Sequence, residues 1–511
     1  MGRAAPAATM TARCLMVLGT SSGAGKSWLV TALCRHYARQ GLRVAPFKAQ
    51  NMSNNARVVA GGEIGSAQYF QALAAGAVPD VRMNPVLLKP ESDTRSQVVL
   101  LGQVSPSLGE MPWRDRSPHV WPTITQALDA LREAYDLVII EGAGSPAEIN
   151  LMDSDVVNLR VARHADARCL LVTDIDRGGA FAHLLGTWAL LPVDDQRRIA
   201  GFVLNKFRGD PALLSPAPEQ LQAMTGVPTL ATLPMFYGHG LPEEDGLPTA
   251  LTVKSARNPG QLGAAFSQWV HHRASDSPLR ISVLAYPCIS NHDEFQPLCQ
   301  LPGVHLTWAR NVQACEDADL LILPGSKHTS SDLAWLRQQG LDACIVQHAA
   351  SGRPVLGVCC GLQMLGEALI DPWGIDGNAP GLGLLPLVTV FEAEKTVLLG
   401  QHRFHAMQGA WSSLSDLPVT GYEIHHGQTR LHQGMVQAGV TSQEVLPGGL
   451  AWLSHDGLVL GCYVHGLFEN ASVVEALFGV PHSPLEQAFD RLADFVVEHM
   501  RADTLIALLD T

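Results

Sequence analysis

Two glycine-rich turns constrain the fold of this chain more than any other feature. The first reads G-T-S-S-G-A-G-K-S at Gly19–Ser27, after the apolar run Cys14–Leu18 and before the helical pattern Trp28–Gln40. The second reads G-V-C-C-G-L-Q-M-L-G at Gly357–Gly366 and has the same apolar-then-helical setting. Strands that alternate with helices are typical of parallel α/β sheets. The sequence therefore predicts such a sheet in each half of the chain.

Short apolar runs recur through both halves without polar alternation, as is typical of strands buried on both faces. They predict an α/β protein with two doubly wound, mostly parallel-sheet domains. The predicted strands are Cys14–Leu18, Val44–Phe47, Leu137–Ile140, Cys169–Thr173, Gly201–Leu204, Arg280–Ala285, Leu320–Leu323, Val355–Val358 and Leu458–Val464.

A chain of 511 residues is too long for one hydrophobic core, so more than one domain is expected. We predict a first domain over residues 1–235 and a linker rich in glycine, proline and acids over 236–278. A second domain follows over 279–475 and a C-terminal helical segment over 476–511, where Asp490–Leu509 has the pattern of an amphipathic helix.

Composition narrows the possible partners and location. The formal net charge of −13 disfavours a nucleic-acid partner, which needs a basic face. No apolar stretch reaches the roughly 18 residues of a membrane span. Met1–Arg13 runs directly into the first glycine-rich turn and does not resemble a cleavable signal. The ten cysteines lack paired metal spacing and mostly lie in apolar runs, as reduced thiols do. We expect a cytoplasmic protein without nucleic-acid or membrane partners.

The first turn is typical of a phosphate-binding loop. Its glycines let successive N–H groups converge on phosphate oxygens at the start of a helix. Lys26 would reach the β- and γ-phosphates, and the Ser27 hydroxyl would bind Mg²⁺. Five residues separate Gly19 from Gly25 where four are usual, so Thr20 holds the first glycine position. The predicted ATP-binding residues are Ser22, Gly23, Ala24, Gly25, Lys26, Ser27 and Asn205.

Two residues at strand ends extend this site. Glu141 closes the run L-V-I-I and is a candidate second magnesium ligand, with an ordinary loop acid as the alternative. Asn205 closes G-F-V-L and would recognise the base, with a simple polar strand exit as the alternative. We therefore expect ATP and Mg²⁺ at this site, and no permanently bound cofactor.

The second turn is typical of a nucleophile elbow. Cys359 would stand near a helix N-terminus, which favours the thiolate, and an inert buried thiol is the alternative. The N–H of Cys360 would stabilise an oxyanion, with Gly325 as the second donor. His465, in G-C-Y-V-H-G-L-F, would act as base and then as acid. Cys360 is the weaker candidate for nucleophile. The two turns together indicate ATP-driven amide formation with nitrogen from glutamine.

Further segments follow in a fixed order along the chain. They are A-P-F-K-A-Q-N-M-S-N-N at Ala45–Asn55, M-N-P-V-L-L-K-P at Met83–Pro90, E-G-A-G-S-P-A-E-I-N-L at Glu141–Leu151, D-V-V-N at Asp155–Asn158, D-I-D-R-G-G at Asp174–Gly179, N-K-F-R-G-D at Asn205–Asp210, P-G-S-K-H-T, the cysteine turn, G-Y-E-I-H-H-G and Y-V-H-G-L-F. With the phosphate loop, this ordered set resembles the cobyric acid synthase family over nearly the whole chain.

The resemblance implies a dethiobiotin synthetase-like ATPase domain fused to a triad-type glutamine amidotransferase domain, acting in adenosylcobalamin biosynthesis. It implies ATP-dependent amidation of the b, d, e and g carboxylates of adenosylcobyrinic acid a,c-diamide, with ammonia taken from glutamine, to give adenosylcobyric acid. Lys48 would join Lys26 in neutralising phosphoryl charge. Asp155 would orient the substrate carboxylate or the ammonia.

Two features depart from related patterns. Cys360 stands where glycine is usual in the family, and Gly466-Leu467-Phe468 follows His465 where many triad amidotransferases carry a glutamate two residues after the histidine. We therefore expect a Cys–His dyad with a weaker glutaminase, and the group that orients the imidazole stays unassigned.

Two other functions stay open. A cobyrinic acid a,c-diamide synthase has the same two domains and amidates a different pair of carboxylates. A partitioning-type regulatory ATPase needs an extra lysine early in its phosphate loop, where this chain has Ser21. That class has no use for Cys359 and His465.

Overall fold

The computed structural model describes residues 11–92, 95–241, 252–254, 278–479 and 485–509. The chain folds into two compact units. The first takes in the described parts of Met1–Ser53, Val59–Leu241 and Leu485–Thr511, and the second those of Asn54–Val58 and Pro242–Pro484. Most of the predicted linker over 236–278 lies outside the described residues.

The first unit is built on a six-stranded sheet whose strands are all parallel. The strand Arg13–Gly19, which leads into the phosphate loop, lies inside this sheet. In spatial order the strands are Thr229–Pro234, Ile199–Phe207, Arg168–Asp174, Arg13–Gly19, Leu137–Glu141 and Val44–Phe47.

The strand Arg13–Gly19 shows why its sequence is apolar without alternation. Leu15 and Val17 pack into one core cluster, and Met16 and Leu18 pack into another. Successive side chains of a strand point to opposite faces, so both faces of this sheet are covered. A doubly wound sheet follows from that burial.

Helices and smaller sheets surround this core. The helices of the first unit are Lys26–Arg39, Ser66–Ala74, Pro106–Glu110, Trp113–Ala134, Leu159–Ala165, Ala180–Leu190, Val193–Gln196, Ala217–Thr225, Leu485–His499 and Ala502–Ala507, with 3₁₀ turns at Val81–Met83, Met152–Ser154 and Pro211–Leu214. A four-stranded sheet, not predicted from the sequence, consists of Gln50–Met52, Val86–Ser92, Arg95–Leu100 and Gln103–Val104. Two short strands lie between the first two of these in the chain, Ala56–Val59 and Gly62–Gly65, and the residues of the former up to Val58 belong to the second unit.

The C-terminal segment packs against the helix Lys26–Arg39. Arg35 pairs with Asp490 (Nε to Oδ1, 2.8 Å), and the Tyr37 hydroxyl donates to the Leu505 carbonyl at 2.8 Å. The single closing helix predicted over Asp490–Leu509 is wrong in its bounds, because two helices form with a break at Met500 and Arg501. These contacts hold the helix that follows the phosphate loop.

The second unit contains an eight-stranded sheet with five central parallel strands and antiparallel strands at both edges. In spatial order the strands are Thr252–Lys254, Val304–Ala309, Leu279–Leu284, Leu320–Leu323, Val355–Val358, Val459–Cys462, Ala451–Leu453 and Gln443–Leu446. Together with the first unit, this arrangement confirms the predicted fold class of two mostly parallel α/β sheets.

The helices of the second unit are Gln296–Gln300, Gln313–Glu316, Thr329–Gln338, Leu341–Ala350, Cys360–Leu365, Gln433–Gln437 and Ala471–Phe478, with 3₁₀ turns at His292–Phe295, Gly409–Leu414 and Leu467–Glu469. A long hairpin of Leu387–Arg403 and Pro418–Leu431 forms a further sheet with Ala368–Ile370 and Ala379–Pro380, and Ile289–Ser290 pairs with Gly325–Ser326. Among the described residues, no helix has the length and hydropathy to span a membrane.

Candidate functional site

The predicted phosphate loop connects the strand Arg13–Gly19 to the helix Lys26–Arg39. Gly23 and Gly25 have φ of 71° and 100°, a conformation that favours glycine. A Cβ on Gly25 would lie 2.0 Å from the amide nitrogen of Asn205. The loop therefore needs glycine at that position. The predicted loop residues Ser22 and Gly23 are exposed and Ala24 is buried.

Lys26 is held across the loop by main-chain oxygens. Its Nζ donates to the carbonyl of Ser21 at 3.0 Å and to the carbonyl of Gly144 at 3.2 Å. The side chain is buried although it carries a cation. A buried ammonium group at the start of a helix and beside a glycine-rich loop is well placed to bind an anionic ligand, as a phosphate-binding lysine does.

Glu141 connects three side chains beneath the loop. Its Oε1 accepts from the Ser27 hydroxyl at 2.8 Å and from Lys48 Nζ at 3.0 Å, and its Oε2 accepts from Gln71 at 2.5 Å. Burial acts to raise the pKa of Glu141, but the Lys48 ammonium and these hydrogen bonds bring it below its ordinary value. The structure thus places an ionised carboxylate beside Ser27, and Lys48 belongs to the same cluster.

Asn205 bonds to main-chain groups around the loop. Its amide nitrogen donates to the Ala24 carbonyl at 2.8 Å, and its amide oxygen accepts from the N–H of Lys206 at 2.8 Å. Lys206 itself donates to the Gly23 carbonyl at 2.8 Å and to Asp174 at 3.0 Å. The hydrogen bonds of Asn205 therefore stabilise the phosphate loop.

A cavity of about 280 Å³ opens in the first unit beside Gly144, whose carbonyl receives Lys26. Its wall is mostly apolar, with Met52 and Trp113 among the lining residues, and it also includes Arg116 and Asp155. A largely apolar cavity with a few polar groups is the usual form of a small-molecule site.

Asp155 lies in the wall of this cavity and also caps a turn. Its carboxylate accepts from the N–H of Val157 at 2.9 Å and from the N–H of Asn158 at 3.1 Å. Asn158 in turn bonds in both directions with the main chain of Ala143, in the loop after Glu141. The capping role is therefore present in the structure, together with a position on the cavity.

Cys359 stands on a strained turn, as an elbow requires. Its backbone has φ 51° and ψ −108°, which is uncommon for a residue other than glycine. A Cβ on Gly361 would lie 1.9 Å from the Leu323 carbonyl, so the helix packs closely on the neighbouring strand. The Cys359 N–H donates to the Cys462 carbonyl at 2.7 Å. The sulfur lies 3.6 Å from the Ile424 carbonyl, on the long hairpin.

The surroundings of Cys359 oppose the thiolate that the sequence predicts for it. A hydrogen bond to the Cys360 sulfur, together with burial, raises the pKa of the Cys359 thiol. The helix that follows, Cys360–Leu365, has only six residues. Cys359 therefore depends on a base to lose its proton.

His465 has an orienting carboxylate, so the prediction of an unassisted dyad is wrong. Glu294 Oε1 bonds to His465 Nδ1 at 2.9 Å, and Glu294 Oε2 accepts from the N–H of Gly466 at 2.9 Å. Both side chains are almost fully buried. A carboxylate on Nδ1 leaves Nε2 as the atom that exchanges a proton. The sequence does not indicate Glu294, because it lies 171 positions before the histidine in a 3₁₀ turn without a motif.

The predicted oxyanion donors flank this pair. Gly325 pairs with Ser290 in a two-stranded sheet, and a Cβ on Gly325 would lie 3.1 Å from His465 Cε1. Cys360 follows the nucleophile in the chain, and its sulfur lies 3.1 Å from the Ser326 carbonyl. The strands that precede Cys359 and His465 are neighbours, since Val355–Val358 pairs with Val459–Cys462. The structure thus gathers the predicted residues at one end of the sheet.

Clusters of three or more His, Cys, Asp or Glu side chains that could hold a metal ion are absent from the described part of the chain. Magnesium does not need such a cluster, because it often binds through one carboxylate, water and the phosphates of a nucleotide. Ser27 and Glu141 have the oxygen chemistry that Mg²⁺ requires, and their 2.8 Å contact brings those oxygens together.

Comparison with known proteins agrees with both sites. Residues 15–243 match the family described as the CobQ/CobB/MinD/ParA nucleotide binding domain, and residues 280–473 match the CobB/CobQ-like glutamine amidotransferase domain. The cobyric acid synthase of Variovorax paradoxus is 66% identical over 98% of this chain and 100% of its own length. That of Polaromonas sp. is 63% identical over 98% and 99%, and that of Methylibium petroleiphilum is 58% identical over 98% and 97%.

The fold, the nucleotide-binding domain and the amidotransferase domain define a glutamine-dependent amidotransferase that acts as a carbon–nitrogen ligase and uses ATP. The similarity to curated relatives extends over nearly the full length of each. The chain belongs to the cobyric acid synthase family of cobalamin biosynthesis.

Proposed function

We propose that this chain converts adenosylcobyrinic acid a,c-diamide to adenosylcobyric acid in the cytoplasm by amidating the b, d, e and g carboxylates. ATP and glutamine are the other substrates. The observation that carries this proposal is the pair of sites: a buried lysine and carboxylate at a phosphate loop, and a cysteine elbow with a buried His–Glu pair. The identity with cobyric acid synthases over the whole length supports the choice of substrate.

The phosphate loop activates the carboxylate. We assign the triphosphate to Ser22–Ser27, with Lys26 on the β- and γ-phosphates and Asn205 at the nucleotide end of the loop. Ser27 and Glu141 would hold Mg²⁺, which neutralises phosphate charge when bound. A substrate carboxylate oxygen attacks the γ-phosphorus and ADP leaves, so that an acyl phosphate forms. Lys26 and Lys48 stabilise the charge on the transferred group.

The cavity beside Gly144 receives the edge of the corrin that carries the reacting carboxylate. Its apolar wall suits the macrocycle, and its position next to the carbonyl that binds Lys26 supports a substrate group near the γ-phosphate. Asp155 in this wall orients the carboxylate or the ammonia. Several carboxylates must take this place in turn, so only the reacting group is held closely.

The elbow releases ammonia from glutamine. His465 Nε2 takes the proton of the Cys359 thiol, and the sulfur attacks the amide carbon while N–H groups of Gly325 and Cys360 stabilise the oxyanion. His465 then gives the proton to the departing ammonia, which leaves a thioester on Cys359. Water hydrolyses the thioester to glutamate. Glu294 keeps the imidazole in the required tautomer.

Ammonia is the intermediate that the two reactions share. Ammonia attacks the acyl phosphate, inorganic phosphate leaves and an amide remains. Free ammonia near neutral pH is mostly protonated and is then not a nucleophile. Making it within the same protein therefore supplies the synthetase with a usable nitrogen.

Glu294→Gln should lower the glutaminase kcat by about 10²–10⁴-fold, with little change in KM for glutamine. The amide keeps the shape but presents no charge to the imidazolium that forms during catalysis. Glutamate release from glutamine measures this effect, and the exposed Glu316→Gln serves as the matched control. A wild-type kcat in Glu294→Gln would show that His465 acts without help from Glu294.

Asp155→Asn should leave the KM for ATP unchanged while amidation at saturating ATP slows sharply. Asparagine keeps one oxygen to accept from Val157 and Asn158, so the turn is retained and only the charge is lost. Steady-state rates with ammonia as nitrogen source isolate this step from the glutaminase. A near-normal rate would mean that Asp155 serves only as a cap.

The proposed reaction is tested by mass spectrometry of the corrin products made from the a,c-diamide with ATP, Mg²⁺ and glutamine. Each amidation replaces one hydroxyl by an amino group, so the steps can be counted. Four successive decrements support the proposal. If the a,c-diamide stays unchanged, and cobyrinic acid supplied in a parallel reaction is amidated at two positions, the protein has the a,c-diamide synthase activity instead.

A further inference from the structure

A buried arginine from the first part of the chain lies in the second unit. Arg57 belongs to the short segment Asn54–Val58, which packs with the second unit, although the sequence assigned it to a first domain over 1–235. Its side chain is 1% exposed. A guanidinium so deeply buried requires anionic partners.

Arg57 has three partners around its guanidinium. One terminal nitrogen donates to the Tyr422 hydroxyl at 2.7 Å. The other lies 2.5 Å from Asp293 Oδ2 and 2.7 Å from Glu469 Oε1. Burial opposes the charge, but Asp293 and Glu469 bring the pKa of Arg57 well above its ordinary value. The cation is therefore retained at any working pH.

Each partner adjoins the glutaminase histidine. The Tyr422 ring stacks on His465 with centroids 5.1 Å apart and planes at 15°, and the two residues exchange main-chain hydrogen bonds. Asp293 directly precedes Glu294 in the turn His292–Phe295. Glu469 ends the turn Leu467–Glu469 that follows His465. Arg57 thus contacts all three chain segments that fix the imidazole.

We propose that Arg57 is a positioning residue of the glutaminase, holding the His465–Glu294 pair through Tyr422, Asp293 and Glu469. The glutaminase site is then completed by a residue far outside the amidotransferase segment of residues 280–473. This inference rests on the proposed glutamine-hydrolysing function.

The positive charge of Arg57 determines the direction of the expected change in pH dependence. Arg57 contacts the carboxylates of Asp293 and Glu469 and also interacts electrostatically with Glu294. Without the arginine, the combined negative charge of these groups favours the protonated imidazole. The catalytic base is the neutral imidazole, so activity would then be lost at a higher pH as the solution is acidified. The titratable and charged groups around this cluster are Asp293, Glu294, Tyr422, His465 and Glu469, and the thiols of Cys359 and Cys462 interact electrostatically with Glu294.

The test measures glutaminase kcat and KM against pH for full-length Arg57→Met, Asp293→Asn and the double variant. Arg57→Met should lower kcat by about 10- to 100-fold with KM for glutamine little changed, and move the acid limb of the profile upward by roughly one pH unit. Asp293→Asn should move that limb downward. The double variant should return it toward the wild-type position, since one charge of each sign is lost.

Controls separate positioning from a structural role. Arg353→Met, which loses hydrogen bonds to the Ser351 hydroxyl and to the carbonyls of Glu316 and Ala318, should keep the wild-type profile. Ammonia-dependent amidation should be retained in all these variants. An equal loss of that activity, or an acid limb that does not move downward in Asp293→Asn, overturns the inference even if Arg57→Met fails to fold. A wild-type protein without glutaminase activity overturns the proposed function itself.

Discussion

Cys359→Ala is expected to lower glutamine-dependent amidation by more than about 10³-fold, because the thioester cannot form without the sulfur. Ammonia-dependent amidation at high pH should stay largely intact, since the phosphate loop does not use this thiol. The two rates are measured on the same preparation, with glutamine or an ammonium salt as nitrogen source. His465→Ala should show the same contrast with a small residual glutaminase.

Cys360→Ala provides the matched control for this experiment. The two cysteines are adjacent and both buried, so the variants differ mainly in which sulfur is lost. Removing the Cys360 sulfur also removes the hydrogen bond that raises the pKa of the Cys359 thiol, and activity should therefore survive. If Cys360→Ala loses glutamine-dependent activity and Cys359→Ala does not, the nucleophile is Cys360 and the assignment to Cys359 is wrong.

Lys26→Ala is expected to abolish amidation from either nitrogen source, with a loss of at least about 10²–10³-fold. The alanine removes the charge that stabilises the transferred phosphoryl group, whereas the elbow in the second unit stays intact. Glutamate release from glutamine should therefore persist without amide formation. Both products are quantified in one reaction mixture.

The persistence of glutaminase activity serves as the internal control for folding of Lys26→Ala. Ammonia-dependent amidation at the wild-type rate in this variant would show that ATP is used elsewhere. Loss of both activities, with a far-UV spectrum that has changed, would instead report damage to the fold.

The strands and the two turns were predictable because their determinants are local. Leu320–Leu323 and Val355–Val358 form with the predicted bounds, since short apolar runs buried on both faces leave little choice of structure. The glycines of both turns allow close contacts that a Cβ would prevent, between Gly25 and the Asn205 side chain and between Gly361 and the Leu323 carbonyl. The contact between Ser27 and Glu141 also follows from topology. The phosphate loop before Ser27 leaves the carboxyl end of Arg13–Gly19, and Glu141 ends the neighbouring parallel strand.

The carboxylate that orients the imidazole was not predictable, because no local pattern marks it. Glu294 lies in a short 3₁₀ turn and reaches His465 only through the tertiary fold. The role of Arg57 was even harder to predict, because the residues next to it in sequence belong to the segment that matches the nucleotide-binding domain. Long-range contacts of this kind depend on packing that propensity and spacing do not record.

The long hairpin of Leu387–Arg403 and Pro418–Leu431 was also missed. Its second strand supplies Tyr422 and the Ile424 carbonyl that faces Cys359. Polar and apolar residues mix along these strands because much of the hairpin is exposed, so the alternation that marks a half-buried strand is weak. The site thus includes elements whose sequences carry little signal.

The most direct measurement follows the amide nitrogen of glutamine into the corrin. The full-length protein is given the a,c-diamide, ATP, Mg²⁺ and glutamine labelled at its amide nitrogen, and the product is analysed by mass spectrometry alongside ADP release. The proposed function predicts four labelled amides and one ADP for each, and no label transfer by Cys359→Ala. Unlabelled product, or a product that carries fewer than four new amides at completion, would contradict it.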